Sequence, residues 1–263
     1  MRKVAIDGLE GLYGRPRGRR PFPGMIVLHE SFGPNDDMLA IGRRFVRAGY
    51  ATVLPDLYSG DRAPRALCIA KLVFDTLRGG GLAQRRIANV RRWLADRPEV
   101  DGERLGVAGF CQGGGFALIA AVRDDYQGAF VAYGEVPGEA EKLEGICPVV
   151  ASYGGRDFVY GSHGDRLDDH LDKLDVPHDV KTYPDSGHSF MNKTFKSWRS
   201  PHMVGVPPGS PVKVKLPLWT AAQPVLQVGY NREDAEDSWD RMLSFMDEWV
   251  AGTRSPSASP SRS

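Results

Sequence analysis

The run Gly106-Val107-Ala108-Gly109-Phe110-Cys111-Gln112-Gly113-Gly114-Gly115 sets a cysteine between an apolar strand and a helix expected over Phe116 to Val122. A sulfur at such a turn faces backbone N–H groups that lack a carbonyl partner and the positive end of a helix dipole, surroundings suited to a thiolate nucleophile. The flanking glycines fit the same reading, because strand and helix approach so closely at a sharp turn that a side chain at 109 or 113 would collide. The backbone N–H of Gln112 faces the region where an oxyanion forms when an acyl group is attacked. A thiolate is also a good leaving group. It therefore suits activated acyl groups such as enol esters, lactones and thioesters better than amides or simple alkyl esters, which points away from a peptidase.

Such a nucleophile needs a base, and the base needs an orienting partner. Gly154-Gly155-Arg156-Asp157 follows a strand ending at Tyr153, and Asp185-Ser186-Gly187-His188-Ser189-Phe190 follows a strand over Val180 to Tyr183. Both loops leave the carboxyl ends of predicted strands, so Asp157 and His188 can converge on Cys111 in the chain order nucleophile, acid, histidine. His188 would take the thiol proton or hold the thiolate as an ion pair, then protonate the leaving group and activate water, while Asp157 would fix the ring tautomer. Taken singly, Asp157 also reads as a turn former and His188 as a loop histidine.

The remaining histidines compete poorly. His163, His170 and His178 fall in or beside a polar helix, His202 lies in an irregular segment, and His29, ending a strand before Glu30, reads chiefly as structural. Cys68 and Cys147 read as small buried apolar residues. Three cysteines without metal-ligand spacing make neither a disulfide framework nor a zinc site, and no metal or cofactor is expected.

The elements that must hold these residues alternate along the chain. Apolar runs suited to buried parallel strands occur at Met25 to Leu28, Ala51 to Leu54, Leu105 to Ala108, Ala129 to Ala132 and Pro148 to Ser152. Helical stripes separate them: Met38, Leu39, Ile41, Phe45 and Val46 behind Asp36, then Ile87, Val90, Trp93 and Leu94 before Pro98, then Leu167, Leu171 and Leu174. A further amphipathic helix over Asp234 to Val250 closes the pattern. Alternation of this kind specifies an α/β fold, a mainly parallel central sheet with helices on both faces, whose ligands bind beyond the carboxyl ends of the strands.

At 263 residues the chain is expected to form one domain over 1–252, followed by a disordered Ser/Pro/Arg tail over 253–263. A Pro-rich irregular segment at about 197–228 reads either as a flap over the site or as a surface loop. With 34 basic and 33 acidic side chains, no long-range field favours nucleic acid or an anionic membrane. The N-terminus lacks a secretory pattern and no apolar stretch is long enough to span a bilayer. A cytoplasmic monomer or homodimer acting on a small-molecule ester or lactone is expected.

With Leu28-His29-Glu30-Ser31-Phe32-Gly33, then Leu54-Pro55-Asp56-Leu57-Tyr58, the cysteine elbow and Ser186-Gly187-His188-Ser189-Phe190, the chain resembles the dienelactone hydrolase family of α/β-hydrolases. The likeness runs from about Met25 to Phe190 and resumes at the last helix. It implies that Glu30 is a fourth catalytic residue, a buried carboxylate that holds the resting thiol and moves when substrate binds. From the residues alone, Glu30 could equally cap the loop after its strand. The resemblance also implies a second oxyanion donor, the backbone N–H of Ser31.

Family members acting on dienelactones carry an arginine four residues after the histidine, where this chain has Asn192. Phe32, Asn192 and Arg78 are the candidate substrate-binding residues. Lys193, Arg62 and Arg65 are further cations that could pair with a substrate carboxylate. The expected activity is thus hydrolysis of enol lactones or other activated esters through an acyl-cysteine. The competing readings are a broader carboxylesterase or thioesterase and a non-catalytic binding protein of the same fold.

Overall fold

The computed structural model describes residues 1–18, 21–31, 33–59, 67, 71, 81–193 and 229–252. Phe32, Arg62, Arg65, Arg78, Cys68, His202, the Pro-rich segment and the tail lie outside the described residues. The chain order is β1 (Arg2–Ile6), β2 (Leu9–Gly14), β3 (Phe22–Leu28), α1 (Asp36–Arg47), β4 (Ala51–Pro55) and α2 (Gly81–Ala95). It continues with β5 (Val100–Phe110), α3 (Gln112–Arg123), β6 (Gly128–Ala132), a 3₁₀ turn (Ala140–Leu143), β7 (Val149–Gly154), α4 (His163–Lys173), β8 (His178–Tyr183) and α5 (Arg232–Trp249).

One eight-stranded sheet runs in the order β1-β2-β4-β3-β5-β6-β7-β8. Strands β3 to β8 are mutually parallel, as the continuous apolar runs of β3 to β7 predict, and every residue of β4, β6 and β7 is buried. Strands β1 and β2, absent from the sequence-based expectation, form an antiparallel hairpin on one edge. Its turn is Asp7-Gly8, both with positive φ (46° and 82°), the pair that a two-residue hairpin turn demands.

Alternation along each buried strand divides the core in two. Ile26 and Leu28 belong to the core cluster that also holds Ile87 of α2, Phe116 of α3 and Leu167 of α4. Met25 and Val27 belong to the opposite cluster, with Phe45 of α1 and Trp239 of α5. Helix α1 starts because Asn35 accepts a hydrogen bond from the N–H of Met38 at 2.9 Å, and α5 because Asn231 does the same for Asp234 at 3.4 Å. Both caps precede the starts suggested by hydrophobic period, since the first turn of a helix need not carry an apolar residue. The crossovers bring the carboxyl ends of β3, β5, β7 and β8 to one edge of the sheet. Among the described residues no helix is long and apolar enough to cross a membrane.

Helix α5 is fastened through Trp239, which is buried against Phe45 with ring centroids 5.0 Å apart. The Arg44 guanidinium lies 4.2 Å from the Trp239 ring centroid and makes a two-pronged pair with Glu236 at 2.7 and 3.2 Å. Trp239→Ala removes the ring and leaves a cavity, so it should cost about 3–5 kcal/mol of stability, read from denaturant unfolding curves.

Candidate active site

The chain leaves β5 at Phe110 and enters α3 at Gln112, so Cys111 alone makes the turn. Its backbone sits at φ 54°, ψ −121°, a conformation that costs a non-glycine residue about 1–3 kcal/mol. Its N–H donates to Ala132 O at 2.9 Å, tying the turn to the end of β6. The glycines on either side are required by contact. A Cβ on Gly109 would lie 2.0 Å from Gly113 O, and one on Gly113 would lie 2.4 Å from Leu28 O and 2.7 Å from His29 O. The first turn of α3 therefore rests directly on the backbone at the end of β3.

Asp157, in the loop after β7, and His188, in the loop after β8, reach this turn from the neighbouring strands. His188 Nε2 is 3.2 Å from Cys111 Sγ, and His188 Nδ1 is 2.6 Å from Asp157 Oδ2. The other carboxylate oxygen, Oδ1, accepts from the N–H groups of Val159 and Tyr160 at 2.9 and 3.1 Å, which fixes the plane of the carboxylate. Burial disfavours charge on Asp157, but the hydrogen bond and charge of His188 and these two N–H groups outweigh it and hold the carboxyl below its ordinary range. Burial likewise opposes charge on His188. Attraction of the charged ring to a thiolate at position 111, followed by the bonds to Asp157 and Cys111, more than offsets it and raises His188 well above its usual range. With Nδ1–H committed to Asp157, Nε2 is free to exchange a proton with the sulfur.

Glu30 is fully buried, and its Oε1 accepts from Ser189 Oγ at 3.2 Å. The hydrogen-bonding neighbours of Cys111 Sγ are His188 and, at 3.9 Å, Ser31 Oγ, so in this conformation Glu30 is held by Ser189. Among the described residues its Oε2 has no hydrogen-bond partner. Asn192, fully buried beside it, also leaves both amide atoms without a hydrogen bond of ordinary geometry to any described residue, although the amide favours the carboxylate charge. Burial pushes Glu30 up to about 7, reinforced by Asp37 and opposed by His188, Asn192 and Ser189.

Residues outside the sequence-based expectation complete the surroundings. Tyr133 packs its ring edge-on to His188 at 5.2 Å, and Tyr160 lies tilted against it at 5.6 Å. Of the five described non-glycine residues with positive φ, Cys111, Tyr133 and Ser189 surround the site, so backbone strain is concentrated there. Nothing in the local sequence marks Tyr133 beyond its place at the end of β6, and Tyr160 is signalled only by its closeness to Asp157. Lys193 is exposed, with its ammonium 5.4 Å from the Tyr230 ring centroid. Cys147 is packed against the core, and burial pushes its thiol up to about 12, in keeping with an inert residue. Asp168, Asp172 and His178 bring one ligand atom each within 4.8 Å of one another, but Asp172 is exposed and the group reads as ion pairing of His178.

Two consequences can be measured. Gly113→Ala forces a methyl group into backbone carbonyls, so it should lose about 1–3 kcal/mol in chemical denaturation together with most turnover. For Glu30, the folded protein keeps a proton over a pH range in which the unfolded chain has lost it. Stability attributable to this group is fully present below pH 4.5 and is lost as pH rises to about 7. Glu30→Gln lacks that loss, so across this interval it should gain about 3 kcal/mol on wild type in unfolding measurements; a pH-independent difference would contradict the burial argument.

The dienelactone hydrolase family profile matches residues 9–250. A Yersinia pestis protein named "Putative carboxymethylenebutenolidase" is 26% identical over 243 residues, covering 86% of this chain and 78% of that one. Among solved structures, a dienelactone hydrolase-like promiscuous phosphotriesterase from metagenomic libraries superposes with a TM-score of 0.70 at 21% identity, covering 94% of this chain and 97% of that one. An α/β hydrolase from a deep-sea metagenome library superposes with a TM-score of 0.63 at 12% identity, covering 95% and 97%. The mostly parallel eight-stranded sheet with its helices belongs to the same architecture, the α/β-hydrolase fold. The chain is therefore a member of the dienelactone hydrolase family.

Proposed function

We propose that the protein hydrolyses enol lactones and other activated carboxylic esters through an acyl-cysteine intermediate. The observation that carries this reading is the line of contacts Cys111 Sγ to His188 Nε2 at 3.2 Å and His188 Nδ1 to Asp157 Oδ2 at 2.6 Å. His188 takes the thiol proton, or already holds it as the partner of a thiolate, as sulfur adds to the substrate carbonyl carbon, and the resulting oxyanion is met by the N–H groups of Gln112 and Ser31. The tetrahedral species collapses, breaking the bond to the leaving oxygen, which His188 protonates. Water then gives a proton to His188 and attacks the thioester, releasing the carboxylic acid and restoring the thiol. Asp157 keeps the ring in the tautomer that both half-reactions need.

A broader carboxylesterase or thioesterase activity is favoured by one observation. Asn192, at the position where dienelactone-acting members carry an arginine, is neutral and fully buried beside Glu30. Recognition of a substrate carboxylate would then fall to another cation, and neutral activated esters become the better substrates.

The test is initial rates on a dienelactone, a neutral enol ester, p-nitrophenyl acetate and an acyl thioester, for wild type and Cys111→Ala. Wild type should turn over at least one of them, with the neutral ester ahead of the carboxylate-bearing lactone, and the variant should fall by at least about 10³-fold. Equal rates in the two proteins would refute the cysteine mechanism.

A further inference from the structure

His29 follows the last residue of β3, is 1% exposed, and uses both ring nitrogens on backbone. The N–H of Leu57 donates to Nε2 at 3.0 Å, so Nε2 carries a lone pair and the proton of the neutral ring sits on Nδ1. That Nδ1–H donates to the carbonyl oxygen of Glu30 at 2.7 Å. The same carbonyl accepts from the N–H of Gly33 at 2.9 Å. Two donors thus fix the direction of the Glu30 C=O.

A trans peptide is planar, and its C=O and the next N–H point in opposite directions. Fixing the Glu30 carbonyl therefore fixes the N–H of Ser31, the residue whose hydroxyl lies 3.9 Å from Cys111 Sγ. The ring also touches the other side of the site. It lies 4.8 Å from the Tyr58 ring, and Tyr58 OH donates to Gln112 Oε1 at 2.8 Å, while the His29 carbonyl bounds the space at Gly113. One buried imidazole is in this way bonded to the peptide that presents the first oxyanion donor and packed, through Tyr58, against the residue that presents the second.

The geometry points to His29 as a positioning residue for the oxyanion-binding backbone, holding the Glu30-Ser31 peptide so that its N–H faces the acyl oxygen as negative charge develops. This rests on the reading of Cys111 as the acyl-accepting nucleophile. Without the Nδ1–H bond, the peptide can rotate and the Ser31 N–H no longer meets the oxyanion. The loss is confined to the transition state, so it falls on kcat and not on KM.

Three variants test this: His29→Phe, which keeps a ring against Tyr58 but has no donor, His29→Asn, whose amide N–H can take the place of Nδ1–H, and Cys111→Ala. Two reactions are followed, turnover of an activated ester and alkylation of Cys111 by iodoacetamide, in which sulfur displaces iodide from carbon and no oxyanion forms. His29→Phe should lose about 10²-fold in kcat with KM within about twofold of wild type, while its alkylation rate stays at the wild-type value. His29→Asn should recover at least about tenfold of that loss. Unchanged kcat in His29→Phe, or an equal fall in alkylation and turnover, would overturn the proposal, the latter by showing a general structural role. Turnover retained in Cys111→Ala would instead overturn the nucleophile reading, and the oxyanion assignment with it.

Discussion

The site depends on a single strained residue. Cys111 has to hold a positive φ of 54° between a strand and a helix, and that conformation survives only because the structure around it leaves no alternative. Strand β5 lies inside the parallel sheet, between β3 and β6, and α3 is buried along most of its length. Neither can shift to relax the turn. Gly109 and Gly113 allow the two elements to approach to a distance no side chain would permit, and the bond from Cys111 N–H to Ala132 O closes the arrangement. The same close approach sets the sulfur above the sheet edge and points the first N–H groups of α3 toward it. Strain, helix placement and the candidate oxyanion donors are consequences of one packing constraint.

Burial then gives the charges around Cys111 their effect. His188 is flanked by Tyr133 and Tyr160, whose rings limit access of water and keep the local dielectric low. In such a setting the Asp157 carboxylate, bonded by one imidazole and two backbone N–H groups, is a firm partner for a charged His188. Glu30 is the counterexample, since its second oxygen lacks a partner among the described residues and its neighbour Asn192 is neutral. Burial therefore drives it toward its protonated form. Two carboxyl groups near one histidine are thereby held in different protonation tendencies by their hydrogen bonds and solvation.

Much of this was legible in the sequence, for identifiable reasons. Parallel strands buried on both faces are written as continuous apolar runs, so β3 to β7 could be read from Met25, Ala51, Leu105, Ala129 and Pro148 onward, and glycine-containing loops after β5, β7 and β8 pointed to Cys111, Asp157 and His188. The β1–β2 hairpin was missed although Asp7-Gly8 is a strong turn signal, because its strands carry glycine and charge in place of an apolar run. What local sequence cannot convey is which distant side chain arrives where. Ser189 holding Glu30, Tyr133 against His188 and the two backbone bonds of His29 all depend on tertiary proximity. His29 was legible as a buried strand-end residue, but not as the residue that orients the next peptide. The resemblance pointed to Glu30 as the group holding the Cys111 thiol, whereas here Glu30 is bonded to Ser189.

The central claim is that Cys111 carries the acyl group. The most direct measurement is to mix the protein with p-nitrophenyl acetate, quench in acid within the first turnovers, and locate any added mass by peptide mass spectrometry. The account predicts an acetyl group on the peptide containing Cys111, absent when hydrolysis is allowed to finish before the quench. Turnover with no acylated peptide, or with the acetyl group on a serine and Cys111 unmodified, would contradict it.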